Sequence, residues 1–172
     1  PYLITGTSSP AASVFDNGLR LAPVPLIRGG VLEGLVTTRA GAQRSDLPFH
    51  APVGNLRLAV TGGKGDLADV ISRTSDALLV TCTWYLRTVD LQTMLVTGLT
   101  RDGVYHVRNG EVIGAVTNFR FNESPLTALR RIVDAGSPQR ALGREQADFF
   151  PRASMPALVV ADFNFSTVSD AS

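Results

Sequence analysis

Ala77-Leu78-Leu79-Val80-Thr81-Cys82-Thr83-Trp84-Tyr85-Leu86-Arg87 is the stretch whose period decides the fold. Leu78, Val80, Cys82, Trp84 and Leu86 recur at every second position, and Leu79, Thr81, Thr83, Tyr85 and Arg87 fill the positions between them. Successive side chains of a strand point to opposite faces, so this alternation predicts a strand over residues 77–87. A face with five apolar positions belongs in a core, which places Trp84 there with Leu78, Val80 and Cys82.

Outward from this strand, Leu91, Leu95 and Leu99 alternate with polar or small residues and predict a second strand over 91–99. Residues 104–108 and 111–121 flank Asn109-Gly110, a dipeptide that tolerates positive φ at both central turn positions and predicts a type I′ hairpin. Consecutive strands joined by short turns make an antiparallel meander, not a βαβ array. Upstream, Asp66 is the expected N-cap of a helix with Leu67, Val70 and Ile71 on one face and Asp69 in its first turn. Downstream, Ser124 and Pro125 are the expected N-cap and first residue of another helix, with Leu126, Leu129, Ile132 and Val133 as its stripe and Gly136 as its stop.

The remaining elements are shorter. Asp16-Asn17-Gly18 predicts a turn, residues 31–39 and 57–61 predict strands, and residues 40–55 read as a long exposed loop. A last strand is expected over 157–163, before a polar tail. The expected fold is α+β, mainly antiparallel β-sheet in meanders and hairpins, with two main helices in a single domain over residues 1–172.

Composition narrows the function classes. The 172 residues suit about one domain, and 44% hydrophobic with 18% charged residues argues against disorder. Sixteen Lys and Arg against 15 Asp and Glu leave a net charge of +1, which excludes a strongly basic nucleic-acid binder and an acidic tail. The single cysteine cannot close an internal disulfide, and no apolar run reaches the roughly 18 residues of a membrane helix. A cytoplasmic protein with neither a membrane nor a nucleic-acid partner is expected. The chain opens on Pro1, so it is expected to be processed or to be one piece of a longer protein.

No catalytic or metal-binding set emerges. His50, His106 and Cys82 stand at no short ligand spacing, and no His-Glu-x-x-His pair or Gly-x-Ser-x-Gly elbow occurs. Gly62-Gly63-Lys64-Gly65 superficially resembles a phosphate loop, but no Ser or Thr follows Lys64. Cys82 reads as a small core residue and His106 as a surface residue beside a turn. No catalytic residue, metal ligand or cofactor is therefore assigned to this chain. What stands out is polar density beside strong strands. Arg87, Asp90, Arg101 and Asp102 cluster around the strand connections, while Asn118, Arg120 and Asn122 alternate on one face with Phe119 and Phe121 on the other. Two readings stay open for these residues: a solvated face with weak ion pairs, or a surface that engages another chain or an extended peptide. On the second reading, the contact residues are Arg87, Arg101, Asn118, Arg120 and Asn122.

These same residues carry a family resemblance. Leu79-Val80-Thr81, Trp84-Tyr85, Arg87 and Val89-Asp90 lead into Leu95-Val96-Thr97-Gly98-Leu99-Thr100-Arg101-Asp102-Gly103-Val104-Tyr105. Asn109-Gly110-Glu111 and Asn118-Phe119-Arg120-Phe121-Asn122-Glu123-Ser124-Pro125 follow. The run resembles the C-terminal domain of the TldD/PmbA family, long labelled modulators of DNA gyrase. Ser13-Val14-Phe15-Asp16-Asn17-Gly18, Thr37-Thr38-Arg39, Gly54-Asn55-Leu56, Met155-Pro156 and Asp162-Phe163-Asn164 extend the resemblance over nearly the whole chain. Gly29 departs from it, since an acidic residue is expected there.

The resemblance implies a two-subunit cytoplasmic metallopeptidase acting on unfolded peptides. It implies that one subunit carries an upstream His-Glu-x-x-x-His zinc motif and a cysteine ligand near its C-terminus, and that the other, PmbA or TldE, lacks them. Residues 140–156, where that cysteine would fall, contain none. The chain is therefore expected to be the C-terminal domain of the metal-free subunit, with zinc in a TldD-like heterodimer partner and an N-terminal domain outside this sequence. Two alternatives stay open: part of a catalytic subunit whose zinc ligands lie upstream, or an interaction module with no proteolytic role.

Overall fold

A computed structural model of the chain describes residues 23–50, 55–145 and 152–169. The turn expected at Asp16-Asn17-Gly18 lies outside these residues. The chain divides into two compact units, Pro1–Arg57 with Ala141–Ala153 and Leu58–Arg140 with Ser154–Ser172. The α+β class, with mainly antiparallel sheet, is as the sequence predicts.

The described part of the first unit opens on a small hairpin, β1 (Ile27–Arg28) and β2 (Val31–Leu32). Gly29 and Gly30 both hold positive φ, 56° and 81°, as a two-residue hairpin turn requires. The strand expected over 31–39 ends after Leu32, and the expected loop contains a helix, α1 (Arg39–Ser45). Thr38 starts it by accepting the Gly41 N–H at 2.9 Å, and Asp46 closes it at φ 55°. The cap satisfies a backbone donor that a loop would leave to water, and Ala42 is buried. The strand expected over 57–61 is instead β3 (Asn55–Arg57).

The second unit begins with α2 (Leu67–Ser72), started by a reciprocal cap. Asp66 accepts the Asp69 N–H at 3.0 Å, and Asp69 accepts the Asp66 N–H at 2.9 Å. Next come β4 (Asp76–Asp90), β5 (Leu95–Arg108), β6 (Glu111–Val116) and β7 (Asn118–Glu123). Then follow α3 (Pro125–Arg130), β8 (Ile132–Ala135), β9 (Gln139–Ala141), β10 (Arg152–Met155), β11 (Leu158–Val160) and β12 (Phe165–Ser169). The main sheet has the order β12–β7–β5–β4, and β6 pairs the distal half of β5. A smaller sheet of this unit has the order β11–β8.

β5 is the spine of this sheet, and it differs from expectation. The two strands expected over 91–99 and 104–108 are one strand, preceded by a turn in which Asp90 accepts the Gln92 N–H and the Thr93 hydroxyl. At Asp102 (φ 58°) and Gly103 (φ 127°) the strand bulges instead of turning back. Val80 pairs Val104 and Cys82 pairs Arg101, so Thr81 faces two residues, and its hydroxyl donates to the carbonyls of both Asp102 and Gly103. The Asn109-Gly110 turn is as expected, with both central residues at positive φ, 51° and 82°.

A second bulge reorders the decisive strand. Trp84 pairs Leu99, but Arg87 pairs Thr97, so Tyr85 and Leu86 together face Gly98. Tyr85 takes φ 58°, which shifts the alternation by one. Leu86 therefore leaves the face of Leu78, Val80, Cys82 and Trp84, and Arg87 joins it. Gly98 makes room on the opposite face: a Cβ there would lie 2.5 Å from Phe121 Cζ and 2.9 Å from Leu86 Cδ2.

The core lies on the central strands. Thr100, Val104, Val107 and Phe121 are buried, whereas Leu78, Val80, Cys82 and Trp84 are half-buried, not core as the sequence predicts. The reason is topological: among the described strands β4 is an edge, with a neighbour on one side only. Phe119, Phe165, Phe163 and Phe121 pack in that order in a row, with successive ring centroids 5.0–5.3 Å apart.

The helix expected through Val133 stops at Arg130, and Ile132 and Val133 enter β8, which pairs β11. Ladder pairing and the Arg131 side chain override the helical stripe. Arg131 donates to the carbonyls of Ala161 and Asp162 and to Glu123 Oε2. The Glu123 carboxylate also accepts the Ser124 and Asn164 N–H groups, and its side chain is 8% exposed against 25% for Arg131. Removing one partner of a buried ion pair strands the other charge. Glu123→Ala is therefore expected to destabilise the protein by about 3 kcal/mol, read as a lower urea midpoint. Adding Arg131→Ala to that variant should cost less than Arg131→Ala alone; equal costs would show that the two side chains are not coupled.

Candidate peptide-contact face

Strand register builds the candidate face, because residues directly opposite in a ladder share a side of the sheet. Trp84, Leu99, Arg120 and Thr167 form one row across β4, β5, β7 and β12. Arg87, Thr97 and Asn122 form the next, and Cys82 with Arg101 lies on the other side of the first. Four of the five contact residues expected from sequence, Arg87, Arg101, Arg120 and Asn122, thus come to one face on three neighbouring strands. Arg87 and Arg120 are exposed, and Arg101 and Asn122 are half-buried.

Asn118 is spent differently. Its Oδ1 accepts the Thr100 hydroxyl at 3.1 Å, and Thr100 Oγ1 in turn accepts the Phe119 N–H, so Asn118 helps seat the start of β7 on β5. Arg87 lies over the Tyr85 ring, 4.0 Å from its centroid, and donates to the Leu86 carbonyl. Trp84, Leu99 and Thr97, which sequence reading did not assign to the face, form its floor. Their only sequence signal was strand alternation, and the Tyr85 bulge obscured which residues shared a side.

The other candidates are scattered. His106 Nε2 lies 2.6 Å from Asp76 Oδ1, His50 Nδ1 lies 3.2 Å from the Leu35 carbonyl oxygen, and Cys82 sits opposite Arg101. Among the described residues no three His, Cys, Asp or Glu side chains gather as a metal would need. The donors among the described residues therefore do not make a catalytic zinc site. The 62–65 loop turns its amides inward: Gly63 N–H bonds Val60 and Lys64 N–H bonds Ala135. Arg73 clamps the loop by donating to the Lys64 carbonyl and, in a fork, to Asp134. That is a structural knot, not a phosphate cradle.

The sequence profile described as the PmbA/TldA metallopeptidase C-terminal domain matches residues 5–167. The chain belongs to that family. Among solved structures it is similar to TldE from Thermococcus kodakarensis, at TM-score 0.60 and 15% identity over 83% of this chain and 32% of that one. It is also similar to a protein from Thermotoga maritima described as a modulator of a DNA gyrase, at TM-score 0.56 and 16% identity over 78% of this chain and 31% of that one. The chain thus spans about a third of the length of these structures. No curated protein matches it in sequence. Among the described residues no helix is long and apolar enough to cross a membrane.

The carboxylates around the sheet set an acid limit. Asp76 is held below the usual carboxylate range chiefly by its hydrogen bond with His106, and Asp134 chiefly by its hydrogen bond with Arg73. The Thr93 hydroxyl does the same for Asp90. A carboxylate depressed in the folded state binds fewer protons there than in the unfolded chain, so it adds stability above its unfolded value of about 3.9. That contribution is lost as pH falls through the folded value. Thermal melting from neutral pH down through pH 4 is expected to show a falling midpoint. Asp134→Asn should lower the midpoint at neutral pH and flatten the fall; an unchanged slope would exclude this linkage.

Proposed function

We propose that this chain is the C-terminal domain of the metal-free subunit of a two-subunit, cytoplasmic zinc metallopeptidase that acts on unfolded peptides. The carrying observation is the missing thiol: residues 140–156 contain no cysteine, and the sole cysteine, Cys82, stands opposite Arg101 on β4. A catalytic zinc needs about three protein ligands and an open position for water. In this reading those ligands belong to a TldD-like partner, and this chain contributes a wall of the peptide cavity. The likeness to the fold of TldE supports the same assignment.

The wall needs groups that hold extended backbone and side chains without cleaving them. Asn122 offers amide donors and an acceptor, and Arg101 and Arg120 offer donors alone. A strand or sheet face of this kind suits an extended, unfolded peptide.

Co-expression of the full-length protein with a zinc-bearing homologue is expected to give one heterodimeric peak on size exclusion, with an interface of more than about 1,000 Å². Zinc should follow the partner, and neither subunit alone should cleave an unfolded peptide. Two separately eluting monomers at micromolar concentration would overturn the assembly. Stoichiometric zinc retained by this protein alone after dialysis would assign it to the catalytic subunit instead.

A further inference from the structure

The rows across β4, β5 and β7 have a charge character that the sequence does not display. Strands lie about 4.8 Å apart and same-face residues about 6.7 Å apart along a strand, so the Cα atoms of Arg87, Arg101 and Arg120 fall within about 15 Å of one another. Their row neighbours Cys82, Trp84, Thr97, Leu99, Asn122 and Thr167 include no acid. The acids of these strands lie outside the rows of Arg101 and Arg120. Asp76 is at the far end of β4 beside His106, and Asp90, opposite Leu95 in the row beyond Arg87, is bonded to its own turn. Asp102 follows Arg101 in the bulge and belongs to no paired row, and Glu123 is buried with Arg131. In a protein whose overall charge is only +1, this face is a local concentration of guanidinium groups.

We infer that the face receives an acidic, extended segment of a peptide, with Asp or Glu side chains at alternate positions paired to Arg101 and Arg120. This rests on the reading that the protein handles peptides, and it names the class of peptide. Alternate carboxylates of an extended chain recur at about 6.7 Å, the same spacing as the rows beneath them. A planar guanidinium matches a carboxylate with two parallel hydrogen bonds, which a lysine cannot do. Trp84 and Leu99, both half-buried, supply the apolar floor between the charges, and Thr97 and Asn122 supply neutral hydrogen-bonding groups. Arg87, turned over Tyr85, forms one border of the face.

The test uses the full-length protein and short fluorescein-labelled peptides that alternate Glu with Ser, Gln with Ser or Lys with Ser, followed by anisotropy. The Glu peptide is expected to bind about tenfold more tightly than the Gln peptide, with the gap closing as salt is added. Arg101→Gln with Arg120→Gln should abolish the gap, and Arg101→Glu with Arg120→Glu should transfer the preference to the Lys peptide. That reversal cannot come from a misfolded variant. Equal binding of the Glu and Gln peptides, a preference that survives the double substitution, or equally tight binding of a single-stranded oligonucleotide would each overturn the inference. Cleavage of a neutral unfolded peptide by the assembled two-subunit enzyme is read separately. If it proceeds while the acidic preference is absent, the peptidase reading stands and the acidic-peptide inference alone falls.

Discussion

The buried carboxylate of Glu123 is the constraint on which the second unit depends. It ends β7, accepts the first amide of the α3 cap from Ser124, takes the Asn164 N–H ahead of β12, and pairs Arg131. Arg131 carries the same connection to the carbonyls of Ala161 and Asp162. One charge pair thus ties the two ends of the α3 segment to the 161–164 turn, which is distant from them in sequence. Desolvating two charges is costly, and the pair is tolerable because its remaining hydrogen-bonding positions are filled by backbone. With the 161–164 turn held there, Phe163 and Phe165 meet Phe121 and Phe119, and β12 completes the sheet.

The sheet that results is shaped by two bulges more than by its alternation. At Asp102 and Gly103 the extra residue is absorbed because Thr81 bonds both exposed carbonyls. At Tyr85 it is absorbed because Gly98 leaves space for Leu86 and Phe121 on the other side. Each bulge reverses which residues share a face beyond it. The face with Arg87, Arg101 and Arg120 exists because of the second one.

This explains which features were legible in the sequence. The Asn109-Gly110 turn and the Asp66 cap were readable, because each is decided by a few adjacent residues. The continuous β5 was not, since Asp102-Gly103 carries a turn signal that Thr81 converts into a bulge only after β4 has paired. The stripe through Ile132 and Val133 was readable as a helix, but both are β-branched, and pairing with β11 claimed them. For the candidate face, residue types were legible while arrangement was not. Arg120 and Asn122 were correctly grouped by alternation, Asn118 was diverted to Thr100, and Arg87 was expected on the side away from Trp84. Nothing about a tyrosine announces a positive φ, so no local rule could have moved Arg87 across the sheet.

The Tyr85 bulge also couples stability to the face it creates. A non-glycine residue held at φ 58° costs on the order of 1–3 kcal/mol, and it persists only where its surroundings over-determine it. Here three contacts do so: Arg87 lies over the Tyr85 ring, Leu86 packs toward Phe121 across Gly98, and the ladder resumes at Arg87 with Thr97. Phe121 is itself buried against Phe163, in the segment that Glu123 and Arg131 hold. The strain at the edge strand is therefore offset by the same packing that the buried ion pair organises. A continuous run of packed groups, Phe121, Gly98 and Leu86, thus joins the segment held by the ion pair to the bulge that sets the arginine face.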